Sequence, residues 1–323
     1  MNAAALIGTT LGHLLPGPLP FRLKAWDGSA TGPARGPVVV LRHPRAVRRL
    51  LWQPGELGPA MAYSCAYYTR DGQDLQAAQE AKFGLICRKL ALGPGSRLLD
   101  VGCGWGALAR HAARHYGARV TAVTLSERQH HWATESTTRA GVADLVDVQL
   151  RDYRDIEPTA YDAISCVEMG EHVGKDQYPA FTARLRGLLR PGGRLLVQQM
   201  SRGATAPGGG AFIETYIAPD MHMRPAGQTV DLIEGAGLEV LHVETMREHY
   251  ARTIDAWHDT LRSRRAEFVS LVGRPTVRLW ELYTAGSSLA FAEGRMGVDQ
   301  ILARRPGGRA SGIRPAQWYE DLT

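Results

Sequence analysis

The chain has 323 residues, 44% of them hydrophobic and 22% charged, a balance that excludes a disordered chain and leaves room for one large domain or a domain with a smaller partner. The formal net charge of +6, carried mainly by arginine, draws nucleic acid or an acidic lipid surface, unless it is only an arginine-rich surface without a partner. Cys65, Cys87, Cys103 and Cys166 have neither the paired spacing of a zinc site nor the density of a disulfide scaffold, and read as free thiols in a reducing compartment.

The N-terminal stretch MNAAALIGTTLGHLLPGPLP has no basic lead before its apolar residues, and Pro16 and Pro18 cut it short of a membrane span. This points to a cytoplasmic protein whose membrane contact is peripheral. Residues 1–58 read as a small α+β domain, facing a membrane or a partner. Short strands over 22–26 and 38–42 flank a Gly/Pro-rich turn, and a helix over 43–52 carries Arg45, Arg48 and Arg49. Leu50, Leu51 and Trp52 beside them are either a lipid-facing wedge or plain packing.

From residue 74 helices and strands alternate. A helix over 75–90 precedes strands over 97–101, 119–125 and 146–151 with helices between them; a strand over 162–167, a helix over 178–189 and a strand over 194–199 complete the series. Such alternation predicts an α/β protein with a parallel, doubly wound sheet and ligands at the strand C-termini. Strands over 238–245 and 298–303 bracket a helical stretch over about 248–293, too long for a loop and expected to be a cap over the sheet. The domain over 59–305 is followed by a tail, 306–323, expected to be loosely ordered.

The chain is organised around LLDVGCGWG, residues 98–106. An apolar run ending in an acid and followed by G-x-G-x-G reads as a buried strand entering a tight turn before a helix, where a ligand can lie against bare backbone. The second strand ends in Thr124 and Leu125, with Gln129 a turn on, where a dinucleotide-binding domain would carry an acid. The third strand ends in Asp152 and Tyr153, an acid and an aromatic face suited to a nucleobase; the plainer reading makes them a cap and a core residue.

These segments, with MAYSCAYYT (61–69), QAAQEAKFGLICRKLAL (76–92), TLSERQ (124–129), RDYRD (151–155), EHVG (171–174) and LLRPGGRLL (188–196), resemble the cyclopropane-fatty-acid synthase and mycolic acid cyclopropane synthase family of S-adenosylmethionine-dependent methyltransferases. Within it the chain looks most like the members that make methylene-branched, tuberculostearic-type fatty acids. The resemblance implies a class I methyltransferase fold, Rossmann-like, with a helical cap and a small N-terminal domain. By resemblance Gly102, Gly104 and Gly106 meet the methionine and ribose of the cofactor, Thr124, Leu125 and Gln129 its ribose and adenosine side, and Asp152 and Tyr153 its adenine. Tyr63 and Ser64 close over its methionine end. The implied chemistry is attack of a cis alkene on a sulfonium methyl, after which the substrate must lose a proton inside an apolar, water-excluding slot.

In the family a bound bicarbonate takes that proton. Carried over by motif, its partners are Cys65 through its main chain, Glu171, and a tyrosine assigned here to Tyr283 in ELYTAG. Two departures follow. Gln198 stands where the family has histidine, with Met200 at the neighbouring main-chain position, and Glu168 replaces a glycine at the end of the fourth strand. Loss of the histidine and gain of a carboxylate both disfavour an anion, so Glu168 is expected to be the base, its pKa raised among apolar walls; the alternative is a carboxylate that only shapes the site. A displaced base favours a methylene branch over a cyclopropane. The substrate would be an unsaturated phospholipid on an anionic membrane, and a methyl-branched end product would need a reductase partner; a homo-oligomer is left open. A cyclopropane synthase still using bicarbonate, and a non-catalytic lipid- or cofactor-binding partner, are the alternatives. Nucleic acid is disfavoured because no N/D-P-P-Y/F segment follows the fourth strand.

Tyr250, Trp257, Trp280, Phe291 and Met296 are candidates for an acyl channel, or for plain core. Ahead of YSCAY the family's His-Tyr-Asp-x-Gly-Asn-like stretch is missing, and a segment skipped near Gly58 and Pro59 is the favoured explanation.

Overall fold

The computed structural model describes residues 22–24, 29–34, 38–40, 63–158, 160–203, 211–217, 221–308 and 315–319. The chain divides into two compact units, Met1–Gly55 with Gly208–Asp220 and Ile254–Ser288, and Glu56–Pro207 with Met221–Thr253 and Leu289–Thr323. The helical stretch over 248–293 is therefore divided between them.

In the first unit three short strands, β1 (Arg22–Lys24), β2 (Ala30–Thr31) and β3 (Val38–Val40), form a sheet in the order β2-β1-β3. β1 is antiparallel to β2 and parallel to β3. The helix expected over 43–52, with its arginines and its Leu50, Leu51 and Trp52 wedge, lies outside the described residues, as does the junction at Gly58 and Pro59.

The second unit opens its regular structure with α1 (Leu75–Lys89). Asp74 caps it, accepting the Ala77 N–H at 2.7 Å, and Arg88 and Lys89 sit in the last turn, at the negative end of the helix dipole. There follow β4 (Arg97–Val101), α2 (Ala107–Tyr116), β5 (Arg119–Thr124), α3 (Glu127–Arg139), β6 (Val146–Leu150), β7 (Tyr161–Val167), α4 (Tyr178–Leu188) and β8 (Leu189–Arg202). Next come α5 (Ala211–Tyr216), α6 (Ala226–Gly235), β9 (Glu239–Thr245), α7 (Arg247–Ser263), α8 (Arg265–Val272), α9 (Arg274–Ala292) and β10 (Met296–Arg304). Of these, α5, α8 and the larger parts of α7 and α9 belong to the first unit.

The seven-stranded sheet runs β6-β5-β4-β7-β8-β10-β9, with β10 antiparallel to both neighbours and β4 to β8 mutually parallel. The chain winds outward from β4 through β5 to β6, then returns to place β7 on the other side of β4. That reversal opens a crevice at the carboxyl ends of β4 and β7. The inner strands are buried on both faces, so they read as nearly continuous apolar runs. Leu98, Leu196 and Leu302 join Phe83 and Ala112 in one core, whereas Leu99, Leu195 and Ile301 join Ile164 and Phe181 in the other. Adjacent residues thus feed opposite layers, as the two-residue pleat requires.

Three features differ from the sequence reading. β8 is longer than 194–199 because α4 hands the chain directly to Leu189, which pairs with Tyr161 before a register shift, and because β10 follows β8 as far as Arg202. Helix α6 has no counterpart in it. Within the tail, Pro315–Trp318 form a 3-10 turn: Trp318 is buried edge-on to His242, and its carbonyl accepts the Arg88 Nε–H at 2.7 Å. Among the described residues, no helix is long and apolar enough to cross a membrane.

Candidate active site

Two constellations meet the carboxyl ends of the central strands. The first is the turn between β4 and α2. Gly102, Gly104 and Gly106 all have positive φ, at 76°, 56° and 76°. A Cβ on Gly106 would lie 3.0 Å from that of Ala133, whereas a Cβ on Gly104 would meet nothing within 4 Å. Gly106 begins α2 without a side-chain cap, so the N–H groups of that first turn are not claimed by a capping side chain. The turn is pinned to β5, since the N–H groups of Gly102 and Cys103 both donate to the Val123 carbonyl at 3.0 Å.

At the end of β5 the Thr124 hydroxyl donates to Gln129 Oε1 at 2.7 Å, and Ser126 caps α3. Leu125 between them is 70% exposed, an apolar side chain left uncovered beside a polar pair. At the end of β6, Asp152 caps the turn over Tyr153–Asp155. Its carboxylate accepts Arg154 N–H and Nε–H, each at 2.9 Å, and Nη2–H at 2.7 Å. The Arg154 contact holds the Asp152 carboxyl below its usual range. Tyr153 packs edge-on to Phe181 at 5.4 Å. Bare backbone, helix N–H groups, an exposed leucine and a half-buried tyrosine make a seat that fits a nucleoside carrying a short polar tail.

The second constellation surrounds Glu168. This residue follows β7 with φ at +49°, a conformation natural to glycine and uncommon for a side-chain-bearing residue. Its N–H donates to the Gln198 carbonyl. The carboxylate accepts three hydrogen bonds: the Cys65 N–H at 2.7 Å and Gln198 Nε2–H at 2.9 Å on Oε1, and the Tyr250 hydroxyl at 2.8 Å on Oε2. Burial pushes its pKa up; the donated bonds and the nearby Lys82 charge pull the other way without cancelling it.

The loop over residues 63–69 that brings Cys65 there is held by its neighbours. Gln79 Nε2 donates to the Ser64 carbonyl at 2.8 Å and Lys82 Nζ to the Ser64 hydroxyl at 2.6 Å. The Ala66 N–H donates to the Thr253 hydroxyl at 3.0 Å. Lys82 is itself buried, and desolvation draws its pKa down to about 8 despite the opposing charge of Glu168. Beneath it Asp100, the acid that ends LLD, accepts the Ser165 hydroxyl at 2.8 Å and is pushed by burial up to about 6.

The sequence-derived residues thus fall in four places. Glu168, Cys65 and Gln198 share one cluster of hydrogen bonds, and Ser64 anchors its loop, with half-buried Tyr63 one residue before it. The glycines, Thr124, Leu125, Gln129, Asp152 and Tyr153 line the strand ends of the seat. Glu171 is buried in the short turn Gly170–His172, its carbonyl accepting the His222 N–H at 2.7 Å, and the Arg224 guanidinium, stacked 3.8 Å over Tyr178, feels its charge. Tyr283 lies on α9 in the first unit, edge-on to Trp280.

The tyrosine whose hydroxyl reaches Glu168 is Tyr250, which the sequence had offered only as a channel or core aromatic; its ring lies 4.6 Å from that of Phe291. Lys82 and Tyr250 are the members that sequence reasoning missed. The signal for Lys82 was a lysine inside an otherwise buried helical face.

The model of the mycolic acid cyclopropane synthetase family matches residues 54–301. The chain belongs to this family. A probable fatty acid methyltransferase of Mycobacterium tuberculosis is 39% identical over 267 residues, 82% of this chain and 62% of that protein. The tuberculostearic acid methyltransferase UfaA1 of the same organism is 33% identical over 265 residues, 78% of this chain and 61% of that protein. The chain thus spans about three fifths of the length of these two relatives. Among solved structures, the mycolic acid cyclopropane synthase CmaA1 complexed with SAH and CTAB superposes with a TM-score of 0.72 at 28% identity, covering 80% of this chain and 93% of that one. The fold is that of the class I S-adenosylmethionine-dependent methyltransferases.

Proposed function

We propose that this chain is a C-methyltransferase that uses S-adenosylmethionine to methylate the cis double bond of an unsaturated acyl chain in a phospholipid, with Glu168 as the proton acceptor. The observation that carries this reading is the Glu168 carboxylate itself, held by Cys65 N–H, Gln198 Nε2 and the Tyr250 hydroxyl.

S-adenosylmethionine, when bound, supplies an electrophilic methyl group. The glycine turn and the α2 N-terminus offer N–H groups and room to its methionine and ribose. Thr124, Leu125 and Gln129 flank its ribose and adenosine side, and Asp152 and Tyr153 lie where its adenine would be gripped. Tyr63 and Ser64 close the methionine end. The chain's own task is then to take one proton from the methylated substrate while keeping water away. Glu168 suits it because burial raises its pKa without the carboxylate losing its donors, so it is a stronger base than a solvated glutamate.

By the resemblance, the Cys65 main chain and the residue at position 198 would be partners of a bound anion. Here the Glu168 carboxylate takes hydrogen bonds from both, so the side chain serves in place of a dissolved bicarbonate. Transfer of one methyl, a hydride shift and loss of one proton to Glu168 from the added carbon leave a methylene branch. A peripheral approach to the inner face of an anionic membrane, and a reductase that completes a methyl branch, belong to the same reading.

The test is product analysis. Vesicles of oleoyl phospholipid are incubated with the protein and S-adenosylmethionine, and the released esters are read by mass spectrometry and NMR. Vinylidene protons are expected. Cyclopropyl protons would overturn the product, and absence of methyl transfer would overturn the activity.

A further inference from the structure

Behind Glu168 lies a buried chain of side chains that no direct contact with a substrate requires. Lys89, wholly buried near the end of α1, donates from Nζ to Gln300 Oε1 at 2.8 Å. Gln300 on β10 donates from Nε2 to Gln198 Oε1 at 2.8 Å, and Gln198 on β8 donates from Nε2 to Glu168 Oε1 at 2.9 Å. The other Gln198 N–H reaches the Cys65 carbonyl at 3.4 Å. Lys89 is anchored by an ion pair with Glu244, whose carboxylate also accepts the Tyr67 and Tyr319 hydroxyls, each at 3.0 Å. Burial pushes the Glu244 carboxyl up, but Lys89 and the two hydroxyls outweigh it and leave it below its usual range.

The direction of this chain is dictated by chemistry. An ammonium has only donors, so Gln300 must turn its oxygen to Lys89 and its NH2 to Gln198. Gln198 must then accept with its oxygen, and its own NH2 is left facing Glu168. A carboxamide can otherwise turn over with little change of shape, presenting either a donor or an acceptor. With its oxygen turned to Glu168, it would welcome a protonated carboxyl group and repel a carboxylate.

We propose that Lys89 and Gln300 are positioning residues that lock the Gln198 amide with its NH2 toward Glu168, and so keep that carboxylate ionised and ready to accept a proton. The functional consequence rests on the reading of Glu168 as the base; the lock itself does not.

The decisive variants are Q300E and Q300L, neither of which removes the Lys89–Glu244 pair. In Q300E a carboxylate at position 300 accepts from both Lys89 and Gln198, so Gln198 turns its oxygen to Glu168. In Q300L the amide is released, and it can rotate to accept a proton from neutral Glu168. The readout is an infrared titration of the protonated-carboxyl stretch in the protein without S-adenosylmethionine, assigned to Glu168 by its loss in E168Q. The midpoint is expected to rise by about one pH unit in Q300E, the size set by a charged hydrogen bond, and by less in the same direction in Q300L. The acid limb of the pH–rate profile on oleoyl phospholipid vesicles is expected to move with it.

The other groups that face Glu168, namely Lys82 from α1, the Cys65 thiol and the Tyr250 hydroxyl from α7, are untouched in both variants. A midpoint that stays put in both folded variants overturns the lock. So does a shift confined to Q300E, which is the field of the new charge alone. If E168Q keeps its activity, the proposed function falls, while the infrared midpoints still decide the lock.

Discussion

The two ends of the crevice are built from different materials. The seat beside β4, β5 and β6 is made of backbone and of polar side chains that bond to their sequence neighbours: Thr124 to Gln129, Asp152 to Arg154. The pocket behind β7 is made of groups from separated parts of the chain, with the Cys65 N–H, the Gln198 amide and the Tyr250 hydroxyl converging on the Glu168 carboxylate. Local bonding makes a seat that any chain with the right turn can form. Convergent bonding makes a pocket whose chemistry depends on every contributor, and there a single replacement can change the reaction rather than the affinity.

Breaking the pocket should cost most. E168Q is expected to lower kcat by about 10²–10⁴-fold, the usual share of a positioned base, measured as labelled methyl transfer to oleoyl phospholipid vesicles. E168G restores the residue that the resemblance leads one to expect and leaves the three donors around a gap, so added bicarbonate should recover part of the activity of E168G and none of that of E168Q. Equal responses of the two variants would unmake the comparison between the carboxylate and a bound anion.

Breaking the seat should act on binding. In G104A the new Cβ meets no atom of the protein, so stability should fall only by the cost of a left-handed residue, about 1–2 kcal/mol, while calorimetry with S-adenosylmethionine should show at least a tenfold loss of affinity. Unchanged affinity would place the cofactor away from the turn.

Smaller effects follow from charge. Glu168 must be ionised to accept a proton, and its pKa is raised, so activity should fall as pH drops through that value. Y250F removes one donor to the carboxylate, and the acid limb should move upward by about one pH unit. Stability has the opposite slope. A carboxyl whose folded pKa exceeds its unfolded value favours the fold in acid and opposes it as pH rises through the folded pKa. E168Q should therefore melt above the parent chain at neutral pH, with the gap closing in acid. Differential scanning calorimetry across pH reads both the sign and the window.

The same contrast explains what could be read from sequence. The strands of the sheet carry apolar runs bounded by turn residues, and LLDVGCGWG places its own turn, so the order of elements and the seat were legible. The departure of Glu168 from glycine was legible as well, because it stands just ahead of the matching EHVG segment, 171–174. Tyr250 was not: an aromatic on a helix face gives the same pattern whether its hydroxyl is used or not. Nor was the Lys89–Gln300–Gln198 chain, in which Lys89 and Gln300 lie 211 residues apart and the pairing of β10 with β8 sets Gln300 opposite Gln198, while Lys89 reaches them from α1. Helix α6 lacked a recognisable cap, beginning after Pro225 with no side-chain bond.

The left-handed backbone at Glu168 carries an evolutionary consequence. Because the main chain there already has the shape a glycine takes, the fold needs no rearrangement to exchange the two residues, and one nucleotide change turns a GGA or GGG codon into GAA or GAG. On the proposed reading, that mutation replaces a base recruited from dissolved carbonate with one carried on the chain. An enzyme so altered no longer depends on the carbon dioxide content of its surroundings, and its rate should hold steady where a carbonate-dependent relative would stall.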